Sequence, residues 1–174
     1  MDITVRQSGP NRWDGLLVAG DMSFRCALGL SGILVEKREG DGGTPAGIYP
    51  LRRVLYRPDR ISATPRTGLP LSALTTADGW CDDPQNNAYN RAVILPFSGS
   101  AEHLWREDAV YDVIVIIGHN DAPAIRGRGS AIFMHLASDD YSATEGCIAL
   151  SLNDLLAVLE KCTPQSRLLI SADQ

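Results

Sequence analysis

Short apolar segments, several of them alternating with polar residues, recur along most of the chain. Residues 3–7, ITVRQ, alternate cleanly, and further segments follow as MSFRCAL, GILVEK, IYPLRRVLY, AVILP, SAIFMHL and RLLIS. Such patterns predict β-strands, because successive side chains of a strand point to opposite faces of its sheet. VYDVIVIIG, residues 110–118, is almost continuously apolar and β-branched, which predicts a strand buried on both faces. The brief segment AVILP predicts a shorter buried strand.

The segment SLNDLLAVLEKC, residues 151–162, predicts a helix. Ser151 with Asp154 three residues later resembles a capping box in which Asp replaces the usual Glu or Gln. Four leucines recur at helical spacing and predict its apolar face: Leu152, Leu155, Leu156 and Leu159. Many short strands, one late helix and long loops, of which residues 57–84 are the longest, predict a mainly β fold. We expect a β-sandwich or flattened barrel in a single domain over residues 1–174.

Composition and charge exclude several classes of protein. Of the 174 residues, 44% are hydrophobic and 21% are charged, which argues against a disordered chain. The net charge of −5 argues against a nucleic-acid-binding protein, which would carry a basic face. Four arginines nevertheless cluster in one short stretch, which suits either an anionic polymer or a solvated surface: Arg52, Arg53, Arg57 and Arg60.

The hydropathy of the chain bears on its location. The N-terminal MDITVRQSGPNRW has no basic segment followed by an apolar run, so no signal peptide is predicted. No window approaches the ~18 apolar residues that a membrane span needs. As written, the sequence predicts a soluble, cytoplasmic chain without an evident export signal.

Among the four cysteines, Cys147 in the stretch TEGCIALS has the most informative surroundings. Gly146 lets the backbone approach a substrate closely, and the N–H groups of Gly146 and Cys147 can face a developing oxyanion. The helix predicted from Ser151 would favour a thiolate over a thiol. His135, at the end of SAIFMHL, is the candidate base for this nucleophile. No Asp or Asn is clearly placed to orient it, so we expect a backbone carbonyl, that of the following residue, to do so.

Other roles for these residues stay open on the pattern alone. A lone cysteine beside an apolar run is commonly a small core residue, and a lone strand histidine is commonly structural. His119, His135 and Cys147 are conceivable metal ligands, although their spacing matches no common zinc pattern. No CxxC pair supports a zinc ribbon or a redox motif. We expect the remaining cysteines to be free or buried: Cys26, Cys81 and Cys162.

Two blocks of the chain are more specific in combination than either block is alone. IFMHLASDDYSATEGCIALS contains His135, Thr144, Gly146 and Cys147, and REGDGGTPAGIYPL contains Thr-Pro-x-Gly at residues 44–47. Together they resemble the YkuD-type L,D-transpeptidase family, specifically its stand-alone branch. The pattern of that family is a strand histidine followed by Ser/Thr-His-Gly-Cys, an apolar residue and Arg or Asn. The resemblance runs from about residue 20 to the C-terminus.

The resemblance implies a β-sandwich-like catalytic domain that acts as a cysteine acyltransferase. Its members cut the bond between the third residue of a peptidoglycan stem peptide and the following D-amino acid. They form a cysteinyl thioester and pass the acyl group to an amine. Cys147 would be the nucleophile and His135 the base, with no metal or organic cofactor. The implied partners are peptidoglycan stem peptides, and the implied location is the periplasm or cell wall.

Two alternatives to this function come from other classes. One is a non-catalytic peptidoglycan-binding module, which would bind muropeptides without a covalent step. The other is a cysteine hydrolase on a related amide, an L,D-carboxypeptidase or endopeptidase, in which water replaces the acceptor amine.

Two positions depart from the family pattern. Glu145 occupies the position of a second histidine, and Ala149 that of the usual Arg or Asn. A carboxylate beside the thiol would raise the thiol pKa, and it can also recognise a substrate amine. Trp80 is predicted either to line a groove for a sugar or peptide or to pack in the core or a loop. Arg106 is predicted to meet a substrate carboxylate or to form a surface ion pair. The predicted substrate-binding residues are Thr144, Glu145, His119, Trp80 and Arg106.

Overall fold

The computed structural model describes residues 1–172, which form a mainly β fold with one helix. The strands, in chain order, are β1 (Asp2–Gln7), β2 (Asp14–Ala19), β3 (Met22–Ala27), β4 (Ile33–Leu34), β5 (Thr44–Pro45), β6 (Gly47–Tyr56), β7 (Leu71–Ala73), β8 (Asp78–Cys81), β9 (Arg91–Ile94), β10 (Ala101–His103), β11 (Val113–Ile117), β12 (Phe133–Leu136), β13 (Ile148–Leu150) and β14 (Arg167–Ser171). The helix α1 spans Leu152–Lys161, between β13 and β14. The prediction of a mainly β fold is confirmed.

Nine strands form one sheet, and eight of them close into a ring. Its order is β11-β12-β13-β3-β2-β1-β14-β6-β7, and a further pairing of β11 with β6 joins the ring into a barrel. β11 and β6 run antiparallel, with Val113 opposite Tyr56 and Val115 opposite Val54. Closure pairs the backbone N–H and C=O groups that an open sheet would expose at its edges. The predicted flattened barrel is therefore confirmed.

Aliphatic side chains of alternating strand positions fill the barrel. Ile3 and Val5 of β1 are fully buried, while the positions on either side of each are exposed or nearly so. Every residue of β11 is buried, as its continuous apolar run predicts. Val115 packs in the barrel core, whereas Ile114 and Ile116 point into a second apolar cluster outside the barrel.

That second cluster lies between the barrel wall and a small three-stranded sheet of order β10-β8-β9. Phe133 of β12 lies in its centre, and the Trp80 ring of β8 meets the Phe133 ring edge-on, with centroids 5.2 Å apart. Tyr111, which precedes β11, meets the same ring at 6.1 Å. The small sheet is thereby anchored beside β12, the strand that contains His135.

The helix α1 begins as its capping pattern predicts. Ser151 Oγ accepts a hydrogen bond from the Asp154 N–H at 3.2 Å. Leu155, Val158 and Leu159 are buried against the barrel core. Leu152 was also predicted on the buried face, but it is 36% exposed because it begins the helix, beyond the edge of the core. Within residues 1–172, no helix is long and apolar enough to cross a membrane.

Several predicted strands differ from the observed ones in extent or burial. AVILP supplies three of the four residues of β9, but two of these three, Ala92 and Ile94, are exposed because β9 is an edge of the small sheet. GILVEK pairs only over Ile33–Leu34, as β4. Residues 57–84 were predicted to be irregular, yet they include β7 and all of β8, the central strand of the small sheet. Both are too short for their alternation to show in the sequence.

Candidate active site

His135 lies on β12, and Cys147 directly precedes the neighbouring parallel strand β13. β12 and β13 pair with His135 opposite Ala149, which places Cys147 level with Phe133. Side chains two residues apart on a strand share a face, so Cys147 and His135 face the same side of the sheet. They are diagonal neighbours, with Cα atoms roughly 7–8 Å apart by ordinary sheet geometry. Both line one cleft.

Thr144 braces the turn that leads into Cys147. Its Oγ1 donates to the Cys147 carbonyl oxygen at 2.7 Å and accepts from the Gly146 N–H at 3.1 Å. Its backbone N–H and C=O pair with Leu28 and Leu30, both at 2.9 Å. The Thr144 hydroxyl therefore holds the turn, and the role in substrate binding predicted for it stays a prediction. The Gly146 N–H likewise serves the turn.

Gly146 occupies a backbone conformation and a space that suit glycine. Its φ of +130° lies in a region that residues with a Cβ rarely adopt. A Cβ added there would come within 2.6 Å of the Gly43 carbonyl oxygen. Gly43 belongs to the glycine-rich segment of residues 38–47, in which Asp41 accepts from the Gly43 N–H at 2.9 Å and pairs with the Lys37 ammonium. Two separate parts of the sequence thus meet directly behind the cysteine.

The Cys147 thiol is buried and bonded to backbone groups. Its Sγ accepts from the Phe133 N–H and donates to the Ala131 carbonyl oxygen, both at 3.3 Å. Burial raises the pKa of Cys147 to about 12; the Phe133 N–H opposes this rise and the Glu102 carboxylate adds to it. The predicted thiolate is therefore wrong for this structure. The helix begins beyond β13, about 10 Å of strand away, too far for its dipole to act.

His135 is held in one tautomer by its neighbour in the chain. Its Nδ1 lies 2.9 Å from the Leu136 carbonyl oxygen, which confirms the predicted orienting group. A carbonyl oxygen only accepts, so Nδ1 carries the hydrogen and Nε2 of the neutral ring has the lone pair. Burial lowers the pKa of His135 to about 4, while the bond to Leu136 opposes that change. The ring is therefore uncharged at neutral pH.

Tyr111 and Glu102 complete the surroundings of the histidine. The Tyr111 ring meets the His135 ring edge-on, with centroids 5.3 Å apart. The Tyr111 hydroxyl donates to Glu102 Oε2 at 2.8 Å. Burial raises the pKa of Tyr111, and the negative charges that Cys147 and Glu102 can carry raise it further. The tyrosine therefore stays protonated and packs the imidazole from the side.

His135 and Cys147 open onto a cleft of about 1210 Å³. Acidic side chains outnumber basic ones among the residues that line it: Glu39, Asp41, Asp82, Glu102 and Glu145 against Lys37 and Arg106. Burial raises the pKa of Glu102, and the nearby Asp82 and Glu145 carboxylates add to the rise against the Tyr111 bond. The cleft is wide enough for a segment of a polymer, and it is electronegative around the thiol.

The part of the chain that contains this site matches a known protein family. The profile of the YkuD family, the L,D-transpeptidase catalytic domain, matches residues 16–170. The chain belongs to the YkuD family. Membership gives it an L,D-transpeptidase-family function on peptidoglycan. A search of curated proteins found no match, and a search of solved structures found none.

Two residues set this YkuD domain apart from the family pattern. Glu145 is exposed at the cleft, and its charge raises the pKa values of Cys147 and Glu102, which confirms the effect predicted for a carboxylate beside the thiol. Ala149 is 1% exposed and lies directly opposite His135. A methyl group thus stands beside the imidazole where the family usually has an Arg or Asn side chain, and the space it leaves belongs to the cleft.

Arg106 lies at the cleft of this YkuD domain but already has an intramolecular partner. Its guanidinium donates to both carboxylate oxygens of Asp108, at 2.9 and 2.6 Å. It also lies 5.2 Å from the centre of the Tyr111 ring. Of the two roles raised by the sequence, the structure shows the ion pair. Contact between Arg106 and a substrate carboxylate stays a prediction.

Trp80 and His119 lie outside the cleft. Both line a second cavity of about 300 Å³, and Cys147 is not among the residues that line it. Trp80 Nε1 donates to Asn90 Oδ1 at 2.9 Å, and His119 Nε2 lies 3.1 Å from the Arg128 carbonyl oxygen. Burial lowers the pKa of His119. The structure does not bring either side chain to Cys147, and their predicted contact with substrate remains untested.

Three residues near the YkuD site were not singled out from the sequence: Lys37, Glu102 and Tyr111. Tyr111 had a local signal, because it stands at the start of the strongest apolar segment of the chain. Lys37 is 6% exposed and Glu102 pairs opposite Trp80 across β10 and β8, neither of which a local pattern indicates. Their positions follow from strand pairing between distant segments.

Proposed function

We propose that Cys147 is the nucleophile of an L,D-acyl transfer on peptidoglycan stem peptides and that His135 is its general base. One observation carries the proposal: His135 on β12 and Cys147 at the start of the adjacent β13 face the same side and line the same cleft. The match to the YkuD family supplies the substrate class.

The neutral His135 ring sets the direction of proton transfer. Because Nδ1–H is bonded to the Leu136 carbonyl, Nε2 is the atom that takes the thiol proton. The Cys147 Sγ–H first leaves the Ala131 carbonyl and turns toward Nε2. The thiolate then attacks the carbonyl carbon of the third stem residue, and a C–S bond forms in a tetrahedral intermediate.

Collapse of that intermediate breaks the C–N bond to the following D-amino acid. The imidazolium at His135 gives its proton to the leaving amine, which leaves a thioester on Cys147. An acceptor amine then attacks the thioester carbonyl while His135 takes a proton from it. The C–S bond breaks, the proton goes to the departing thiolate, and the thiol and the neutral imidazole are restored.

The backbone N–H of Cys147 is the oxyanion donor in this proposal. The Gly146 N–H is already bonded to Thr144 Oγ1 at 3.1 Å. Gly146 therefore contributes through its backbone conformation, which directs the turn toward the cleft. Burial of the site strengthens a fixed donor, because a low local dielectric increases its electrostatic effect on the oxyanion.

Incubation with a disaccharide-tetrapeptide, followed by intact-protein mass measurement, tests the proposal. We expect the protein to gain the mass of the disaccharide-tripeptide acyl group, mapped to Cys147, with release of a free D-amino acid. Cys147→Ala should show neither result, and Cys162→Ala, which removes a buried thiol outside the cleft, should show both. Turnover by Cys147→Ala, or an adduct on another cysteine, would overturn the assignment.

The released products identify the acceptor. A cross-linked dimer indicates transfer to an amine, whereas a free disaccharide-tripeptide indicates transfer to water, the carboxypeptidase or endopeptidase reaction. Both products pass through the same thioester, so either is compatible with Cys147 as the nucleophile.

A non-catalytic peptidoglycan-binding module is the second candidate. One observation favours it: the thiol donates to the Ala131 carbonyl oxygen and makes no hydrogen bond to His135 in the described residues. Such a module would bind muropeptides equally well after Cys147→Ala and would form no adduct in the wild-type protein. Binding and mass measurements on the same two proteins therefore separate the two candidates.

A further inference from the structure

The second cavity lies behind the nucleophile and is lined by both layers of the fold. It has a volume of about 300 Å³ and is enclosed by residues of β6, β11 and β12 from the barrel and of β8 and β9 from the small sheet. Most of its floor is apolar, with Trp80, Leu104, Ile116 and Phe133 among its residues. A small apolar cavity with a few polar groups at its edge is typical of sites that bind small molecules.

Arginines are the more numerous of the charged side chains at this cavity. Arg52, Arg53 and Arg91 line it, together with Asp78 and Asp121. Both carboxylates already have partners, since Asp121 accepts from Arg52 at 2.8 and 3.2 Å. Asp78 Oδ2 accepts hydrogen bonds from the Thr75 N–H at 2.6 Å and from the Thr75 hydroxyl at 2.9 Å. The Asp121 charge is thus paired with Arg52, whereas Asp78 keeps its charge but makes no ion pair with Arg53 or Arg91 in the described part of the chain, so positive side chains outnumber negative ones by three to two.

Arg53 and Arg91 are the groups left for a ligand. Within residues 1–172, neither guanidinium makes a hydrogen bond or an ion pair. His119 also lines the cavity, but its lowered pKa keeps it uncharged. Two free guanidinium groups beside an apolar floor are complementary to a carboxylate on an apolar frame, because a guanidinium presents several N–H donors in one plane.

The walls of the cavity also hold the Cys147 thiol. Phe133, whose ring meets Trp80 at 5.2 Å, donates its backbone N–H to Sγ. Asn90 Oδ1 accepts from Trp80 Nε1 at 2.9 Å and from the Ala131 N–H at 3.1 Å. The Ala131 carbonyl in turn accepts the thiol hydrogen. A ligand against Trp80 and Phe133 would therefore contact the residue that donates to the thiol, Phe133. It would reach the residue that accepts from the thiol, Ala131, through the hydrogen bonds of Trp80 and Asn90.

We propose that this cavity binds a small carboxylate carried on an aromatic or branched apolar body, and that the bound ligand keeps Cys147 in its buried resting position. The carboxylate lies between Arg53 and Arg91, and the apolar body lies against Trp80 and Phe133. Binding itself does not depend on the reaction of the cleft. The effect on the thiol is regulatory only because Cys147 is the proposed nucleophile.

Naphthalene-1-acetate is a probe for this cavity, and its uncharged amide, naphthalene-1-acetamide, is the matched ligand. In a ¹H–¹⁵N titration, the indole signal of Trp80 reports on the cavity, and those of Trp13 and Trp105 are references outside it. We expect the acid to shift the Trp80 signal and the amide to bind at least about tenfold more weakly, since charge-assisted hydrogen bonds are lost. Equal affinity for both probes would overturn the site.

Arg53→Gln combined with Arg91→Gln tests the charged half of the site. We expect the acid to bind about tenfold or more weakly to this double variant and the amide to bind as before. Arg12→Gln, which changes an exposed arginine outside both cavities, is the matched control and should leave the affinity for both probes unchanged. Undiminished binding of the acid by the double variant would reject the proposed contacts.

The rate at which iodoacetamide alkylates Cys147 tests the effect on the thiol. Saturating naphthalene-1-acetate should slow this rate by about fivefold or more, and the slowing should disappear in the double variant. An unchanged or faster rate with the probe bound would reject the coupling. The measurement uses no peptidoglycan, so its failure is distinct from the absence of a thioester adduct with the disaccharide-tetrapeptide.

Discussion

The backbone of Gly146 lies against the carbonyl oxygen of Gly43, with a Cβ on Gly146 reaching to 2.6 Å from that oxygen. A Cβ on Gly43 would in turn meet the Leu34 side chain at 2.3 Å. The turn before the cysteine can therefore approach the glycine-rich segment of residues 38–47 only with a glycine at position 146.

Gly146→Ala should destabilise the protein and stop acylation. The new Cβ adds a backbone clash to an unfavourable φ, so we expect a loss of at least about 3 kcal/mol in the free energy of unfolding, measured with urea. Gly20→Ala is the control, because Gly20 also has a positive φ of +64° but has open space around it. It should lose only about 1–2 kcal/mol. Equal losses in the two variants would show that the Gly43 contact is unimportant.

Thr144→Val should loosen the turn without changing its volume. It removes the donor to the Cys147 carbonyl and the acceptor of the Gly146 N–H. We expect the free energy of unfolding to fall by about 1–3 kcal/mol, since buried partners are left unsatisfied, and acylation to slow. Thr144→Ser keeps the hydroxyl and should retain most of the stability and most of the acylation rate. Thiol acylation by a stem peptide and urea unfolding measure the two effects.

His135→Ala should slow acylation of Cys147 by about 10²–10⁴-fold, the usual contribution of a positioned proton-transfer group. His119→Ala and His103→Ala are the comparisons, because neither residue lines the cleft. Both of these substitutions should slow acylation much less than His135→Ala does. Circular dichroism of all three variants checks that they fold. A larger loss in His119→Ala than in His135→Ala would move the base away from β12.

The stability of the protein should fall as the solution becomes acidic, because His135 is buried in its neutral form. Its pKa is lowered by burial from 6.5 to about 4, so between these values the unfolded chain binds a proton that the folded chain does not. The free energy of unfolding should therefore decrease as the pH falls through this window, by up to about 3 kcal/mol from this group. Urea unfolding between about pH 7 and pH 4 measures the slope. His135→Gln should reduce it, and an identical slope would contradict a buried neutral imidazole.

Local patterns in the sequence were enough to predict several elements and to single out a candidate pair of residues for catalysis. β1, β11, β12, β14 and the Ser151 cap of α1 follow from side-chain period and hydrogen-bonding chemistry, which act over a few residues. Cys147 and His135 were singled out by their residue types and by the family pattern around them. AVILP was predicted as buried because an apolar run does not reveal whether its strand lies at the edge of a sheet.

Only the tertiary structure decided the protonation of the pair and the placement of the residues around it. The helix that was expected to favour a thiolate is close to Cys147 in sequence, but burial by distant segments raises the thiol pKa instead. Trp80 and Glu102 stand opposite one another on paired strands, yet Trp80 lines the second cavity and Glu102 the cleft. Desolvation and strand register depend on long-range packing, and no local pattern in the sequence contains that information.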